Sequence, residues 1–128
     1  MYVPAILERT SEGVHRYAIQ DAMLQRREIE CLGEITPEAV NGLILQLRYL
    51  QQEDPEAEIT LYINSPGGEV ASGLALYDVM QAVRCPVRTV CVGTAASMAA
   101  LLFAAGKRRE MLPHARLMIH DPLIAGGI

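Results

Sequence analysis

Positive charge is scarce in this chain. Eleven Lys and Arg stand against fifteen Asp and Glu, for a formal net charge of −4, and basic residues adjoin only at Arg26-Arg27 and Lys107-Arg108-Arg109. That leaves no electrostatic footprint for nucleic acid and excludes it as a partner. Cysteine is also sparse: Cys31, Cys85 and Cys91 are odd in number and lack C-x-x-C spacing. Neither a disulfide framework nor a zinc ribbon fits, and reduced thiols in a cytoplasmic protein are expected. No apolar run reaches the ~20 residues that a bilayer span requires. The longest, 90–105, contains Gly93, Thr94 and Ser97 and predicts a buried strand followed by a buried helix, so no membrane partner is expected. The N-terminal stretch Met1-Tyr2-Val3-Pro4-Ala5-Ile6-Leu7-Glu8-Arg9 has no basic region ahead of an apolar one and does not read as a signal peptide. Repeats and low-complexity tracts are absent. Gly106-Lys107 lacks the upstream glycine of a phosphate-binding loop, Leu101 standing in its place, so the chain supplies no ATP-driven power of its own. No metal and no cofactor is expected.

What is present reads as alternating strands and helices. Residues 1–17 show no sustained periodicity and carry Pro4, Ser11 and Gly13, which predicts an arm or loop, with a short helix over 18–25. A first strand follows at 28–33. Thr36-Pro37-Glu38 marks a helix start, with a capping threonine, proline at the first helical position and a carboxylate in the first turn. Val40, Leu43, Ile44, Leu47 and Leu50 then recur at helical spacing as one apolar stripe, and the helix ends before Pro55. The β-branched and aromatic run 59–63 predicts a buried strand that enters the turn Asn64-Ser65-Pro66-Gly67-Gly68. A helix over 69–83 presents Val70, Leu74, Tyr77, Val79, Met80 and Val83, and Cys85-Pro86 terminates it. Next come a strand at 87–92, a helix at 95–105 that is apolar nearly all round, and Gly106 where a glycine cap belongs. Short strands at 109–112 and 116–119 complete the series. This order implies an α/β fold of βαβ units with a mostly parallel sheet covered by helices.

In such folds reactive groups gather at the carboxyl ends of strands. Three places qualify. Ser65-Pro66-Gly67-Gly68 brings unobstructed backbone N–H groups close to a substrate, although as a turn it needs no other explanation than sterics. Gly93-Thr94-Ala95-Ala96-Ser97-Met98-Ala99 puts a serine among small neighbours at a strand-to-helix junction. Small residues there also serve tight helix packing, and the stretch is not G-x-S-x-G. Met118-Ile119-His120-Asp121-Pro122 ends a short strand on a histidine, the base that a serine nucleophile needs, or else a structural imidazole. His15 and His114 have no comparable setting.

Taken in order, Tyr62-Ile63-Asn64-Ser65-Pro66-Gly67-Gly68, Gly93-Thr94-Ala95-Ala96-Ser97-Met98-Ala99 and Leu117-Met118-Ile119-His120 with Pro122 resemble the three signature blocks of the Clp protease proteolytic subunits (ClpP). Leu32-Gly33-Glu34-Ile35, Leu76-Tyr77-Asp78-Val79-Met80 and the segment 17–27 extend the likeness over almost the whole chain. The resemblance implies a crotonase-like (ClpP) fold of stacked ββα/βαβ units. Residues 1–17 would form an N-terminal arm or axial loop, and 18–128 a head domain. It also implies a serine endopeptidase in which Ser97 is the nucleophile, His120 the base, and the N–H groups of Gly68 and Met98 the oxyanion hole. Gly67, Gly68, Glu69 and Val70 would guide an extended, unfolded polypeptide by strand addition, with Gly126 and Gly127 on its other side. Two stacked seven-membered rings would form the chamber, fed by a separate Clp-type ATPase unfoldase.

The family's third triad member is an aspartate downstream of the histidine, beyond a strand-helix handle. No aspartate here matches it, so the expectation is a chain lacking its C-terminal part. Two other functions remain open at this point. One is a non-catalytic assembly subunit. The other is acyl-CoA chemistry on the same scaffold, which would leave Ser97 and His120 without a task.

Overall fold

The computed structural model describes residues 2–119. His120, Gly126 and Gly127, named above for the base and the second substrate edge, therefore lie outside the described residues.

The chain opens with an antiparallel hairpin, β1 (Ala5–Thr10) and β2 (Gly13–Ala18), turning at Ser11-Glu12. The segment read as an arm or loop thus contains strands. Its pattern concealed them because both hairpin faces are open to solvent, with Leu7 and Val14 exposed, so no alternation was required. Helix α1 (Ile19–Gln25) follows, its start held by the Asp21 carboxylate, which accepts the Ala18 N–H at 3.2 Å.

Strand β3 (Glu28–Leu32) leads into α2 (Pro37–Glu53). The Thr36 hydroxyl accepts the Ala39 N–H at 3.1 Å, as the sequence predicted for a threonine cap ahead of Pro37. Strand β4 (Ile59–Ser65), helix α3 (Val70–Ala82), strand β5 (Val87–Ala96), helix α4 (Met98–Ala104) and strands β6 (Arg108–Met111) and β7 (Arg116–Met118) complete the order. β3, β4, β5 and β6 pair side by side and all in parallel, while β7 also pairs with β5.

One face of this sheet carries Ile29 and Cys31, Ile59, Leu61 and Ile63, and Val87 and Cys91, all buried. Against it lie Val40, Leu43, Leu47 and Leu50 of α2, Leu76 and Met80 of α3, and Ala99, Leu102 and Phe103 of α4, forming one core. The opposite face carries Glu28, Tyr62, Arg88 and Glu110, linked across neighbouring strands. Tyr62 Oη donates to Glu28 at 3.0 Å, and Arg88 holds both Glu110 oxygens at 2.9 and 2.7 Å. The Arg88 guanidinium keeps the Glu110 carboxyl below its ordinary pKa.

Two expectations need correction. The buried residues of α3 are Ser72, Gly73, Leu76 and Met80, while Val70 is 55% exposed and Leu74 44% exposed. Met80 is buried and Tyr77, Val79 and Val83 pack against the core as the stripe predicts, but in the first turns Gly73 instead faces inward and receives the Met98 side chain, which a Cβ at that position would overlap. Gly106 is also no left-handed cap: α4 ends on Ala105 in right-handed geometry, and Gly106 is absent from the positive-φ glycines. Its missing side chain makes room for Thr89, whose hydroxyl donates to the Phe103 carbonyl at 2.7 Å.

All three cysteines are buried and unpaired. Burial pushes the Cys31 thiol up to about 11, and Cys91 also rises by burial. Thiolate, the reactive form, is therefore suppressed at Cys31 and Cys91, and Cys85 is shielded by its burial. Native protein at pH 8 is expected to take up no iodoacetamide over a period in which urea-unfolded protein takes up three equivalents, read by intact mass. Rapid native labelling would mean that the sheet opens readily. No helix among the described residues is long and apolar enough to cross a membrane.

Candidate active site

Ser97 occupies the junction between β5 and α4. The sequence predicted a helix from Ala95, but Ala95 and Ala96 continue β5, pairing with Leu117 and Met118 of β7. The helix begins only at Met98, and Ser97 stands at its N-cap with φ 57° and ψ −122°. A non-glycine residue in that region stores about 1–3 kcal/mol of strain, which the surroundings must hold. They do so from both sides: the Ser97 N–H donates to the Met118 carbonyl at 2.8 Å, and the Ser97 carbonyl accepts the Ala100 N–H at 3.0 Å. The sharp turn leaves the serine half-buried, with its side chain off the helix.

The two-glycine turn lies beside it. A Cβ on Gly67 would stand 2.8 Å from the Ala96 carbonyl oxygen, 2.9 Å from Ser97 Cβ and 3.3 Å from the Met98 nitrogen. Gly67, at φ 101°, is therefore glycine both for its conformation and because Ser97 occupies the adjacent space. The buried Ser65 hydroxyl accepts the Gly67 N–H at 3.1 Å and sets the turn. Gly68 bridges to Ile35: Ile35 N–H donates to the Gly67 carbonyl and Glu69 N–H to the Ile35 carbonyl, each at 2.9 Å. In a parallel bridge of this kind the N–H of the middle residue points away from its partner strand. Among the described residues, the Gly68 N–H donates to no protein acceptor. The Met98 N–H, in the first turn of α4, has no intrahelical acceptor either. Among the described residues, then, two backbone donors near the serine have no protein acceptor, and donors of that kind are what a developing oxyanion requires.

Bringing the two segments level requires an irregularity in the sheet. Ile63 pairs with Cys91, yet Ser65 pairs with Ala95, so two steps along β4 match four along β5. The extra residues bulge at Gly93, whose φ is 77°. Upstream of the bulge β5 pairs with β6, and downstream it pairs with β7.

These features accompany a match to the family model described as Clp protease, over residues 10–128. The chain belongs to the Clp protease family. It is similar to the ATP-dependent Clp protease proteolytic subunit of Bdellovibrio bacteriovorus, at 47% identity over 127 residues, covering 98% of this chain and 60% of that protein. The chain thus spans about three fifths of the length of the curated relative it matches.

Within this Clp protease chain the structure places Ser97, Met98 and Gly67 together, with Gly68 next to them in the same turn. Glu69 and Val70 are exposed and follow directly, at the start of α3, where the Glu69 carboxylate accepts the Ser72 hydroxyl at 2.9 Å. Sequence reasoning gave no role to Asn64, Gly93, Ser65 or Gly73. Gly93 had a usable signal, an isolated glycine within a strand pattern, which marks a bulge. The others act through contacts between segments distant in sequence, which no local pattern announces.

Proposed function

We propose that the chain is the peptidase part of an energy-dependent serine endopeptidase, cleaving unfolded polypeptides through an acyl-enzyme. The observation that carries this reading is the strained Ser97, held off the helix between Met118 and the Gly67-Gly68 turn. Strain of this kind at a strand-to-helix junction is what exposes a nucleophilic serine in other hydrolases. Its hydroxyl attacks a peptide carbonyl, and the Gly68 and Met98 N–H groups hold the oxyanion. His120 takes the serine proton and passes it to the leaving amine. Strand β7 runs beside β5, with Met118 opposite Ala96, and His120 comes two residues later in the sequence, which supports that assignment. Water then releases the acyl group.

Gly67, Gly68, Glu69 and Val70 form one edge for an extended substrate, with Gly126 and Gly127 supplying the other. The words ATP-dependent and subunit in the name of the Bdellovibrio relative support a separate ATPase partner and assembly with further chains. That this partner is a Clp-type unfoldase, that the assembly is two stacked seven-membered rings and that it works in the cytoplasm complete the proposal. Residues 1–17 are the arm at the ring axis and 18–128 the head.

The test is intact mass before and after incubation with a fluorophosphonate. One adduct is expected, mapped to Ser97 and lost in both Ser97→Ala and His120→Ala. Absence of any adduct on the unmodified protein would sink the catalytic assignment and leave the family assignment standing.

A further inference from the structure

We infer that Asn64 is a positioning residue for Ser97, acting through the bulge in β5; the inference rests on the catalytic reading of Ser97. Without the bulge, continued pairing of β4 with β5 would set Ser65 opposite Gly93. Ser97 would then overshoot the Gly67-Gly68 turn by two residues, about 6.6 Å at ~3.3 Å per residue of parallel strand. The bulge is what makes Gly67 level with Ser97, close enough that a Cβ on Gly67 would touch Ser97 Cβ.

Two features hold the bulge. Gly93 adopts φ 77°, which a side chain disfavours. Asn64 then fills the space beside it. Its Oδ1 accepts the Thr94 N–H at 3.2 Å, in place of the ladder carbonyl that the bulge removes, and lies 2.7 Å from where a Gly93 Cβ would be. Thr94 is the first residue of β5 to pair with β7, and that pairing runs through Ala96 to the Ser97 N–H bond with Met118. The Asn64 carboxamide therefore stands at the head of the short ladder that ends on Ser97. It is itself exposed, outside the core, so its removal leaves the fold's packing intact.

Three proteins decide the matter: unmodified, Asn64→Ala and Asn64→Asp, the last retaining an acceptor oxygen at the same reach. Two readings are taken, the rate of fluorophosphonate acylation at Ser97 and residue-resolved amide exchange at Thr94 and Ser97. Asn64→Ala is expected to slow acylation about 10- to 100-fold, the scale of a misplaced reacting group. It is also expected to speed exchange at both amides by about tenfold or more, the ~1.4 kcal/mol of one lost hydrogen bond. Asn64→Asp restores most of both, a rescue that a general packing role would not produce. An unchanged acylation rate, or faster exchange confined to Thr94, overturns the inference. If the unmodified protein is never acylated, the catalytic reading fails by itself, and exchange at Ser97 alone decides whether Asn64 fixes its position.

Discussion

Gly68→Ala is expected to lower stability by about 2–3 kcal/mol and to cut Ser97 acylation by about two orders of magnitude or more. The reason is steric. A Cβ on Gly68 would run into the Ile35 backbone, lying against its carbonyl oxygen, 2.7 Å from its nitrogen and 2.9 Å from its carbonyl carbon. Backbone cannot rotate aside as a side-chain tip can, so the Gly68 bridge must open. Overpacking of this kind costs about 1–3 kcal/mol. The two 2.9 Å bonds that join Ile35 to Gly67 and Glu69 would weaken with it.

Catalysis suffers more than stability, because the turn that moves carries a proposed oxyanion donor. Loss of one such donor costs about 10²–10³ in rate. Urea unfolding and fluorophosphonate labelling of the same sample separate the two effects. A variant with unchanged stability and full labelling would mean that Ile35 and the turn separate easily and that the Gly68 N–H is not needed.

The strand-helix alternation was legible in the sequence because each element carries its own local signal: Thr36-Pro37 begins α2, and the β-branched run at Ile59 predicts β4. The three motif blocks were legible too, as blocks. What joins them was not. Whether Gly67 stands level with Ser97 depends on the register of β4 against β5, and register is fixed by pairing between segments some thirty residues apart, with two residues of slack taken up at Gly93. The start of α4 was misplaced for a related reason. Ala95 and Ala96 have helical preference, but β7 recruits them into the sheet, and that pairing delays the helix until after Ser97. In α3 the apolar residues outnumber the positions that can be buried, so composition alone could not say which of them face out. At its start the fit of Met98 against Gly73 decides, leaving Val70 and Leu74 exposed.

Arg27→Ala is expected to destabilise the fold by about 3 kcal/mol, a fall in Tm of roughly 10 °C for a domain of this size. In the sequence Arg27 stands out only as half of an adjoining basic pair. Its guanidinium instead reaches inward and donates to four carbonyls: Leu50 at 3.0 Å, Asp54 at 2.8 Å, Ala57 at 2.9 Å and Glu58 at 3.3 Å. A fifth bond goes to Cys85 Sγ at 3.3 Å. Leu50 lies in the last turn of α2 and Asp54 caps it, where the helix dipole favours a cation; the Leu50 carbonyl also accepts the Asp54 N–H at 3.1 Å. Ala57 and Glu58 lead into β4, so one side chain fixes where the helix stops and at what level the next strand enters the sheet. Alanine would leave the part-buried Ala57 and Glu58 carbonyls without a donor, while Leu50 keeps the Asp54 N–H and Asp54 the Cys85 thiol. Each unsatisfied group costs about 1–3 kcal/mol before water relaxes in. Lysine is expected to recover less than half of the loss, because three donors on one nitrogen cannot span a fan built for a planar fork. Thermal unfolding of both variants checks this. Arg27→Ala within about 2 °C of the parent would show that water replaces the guanidinium and that β4 finds its level without it.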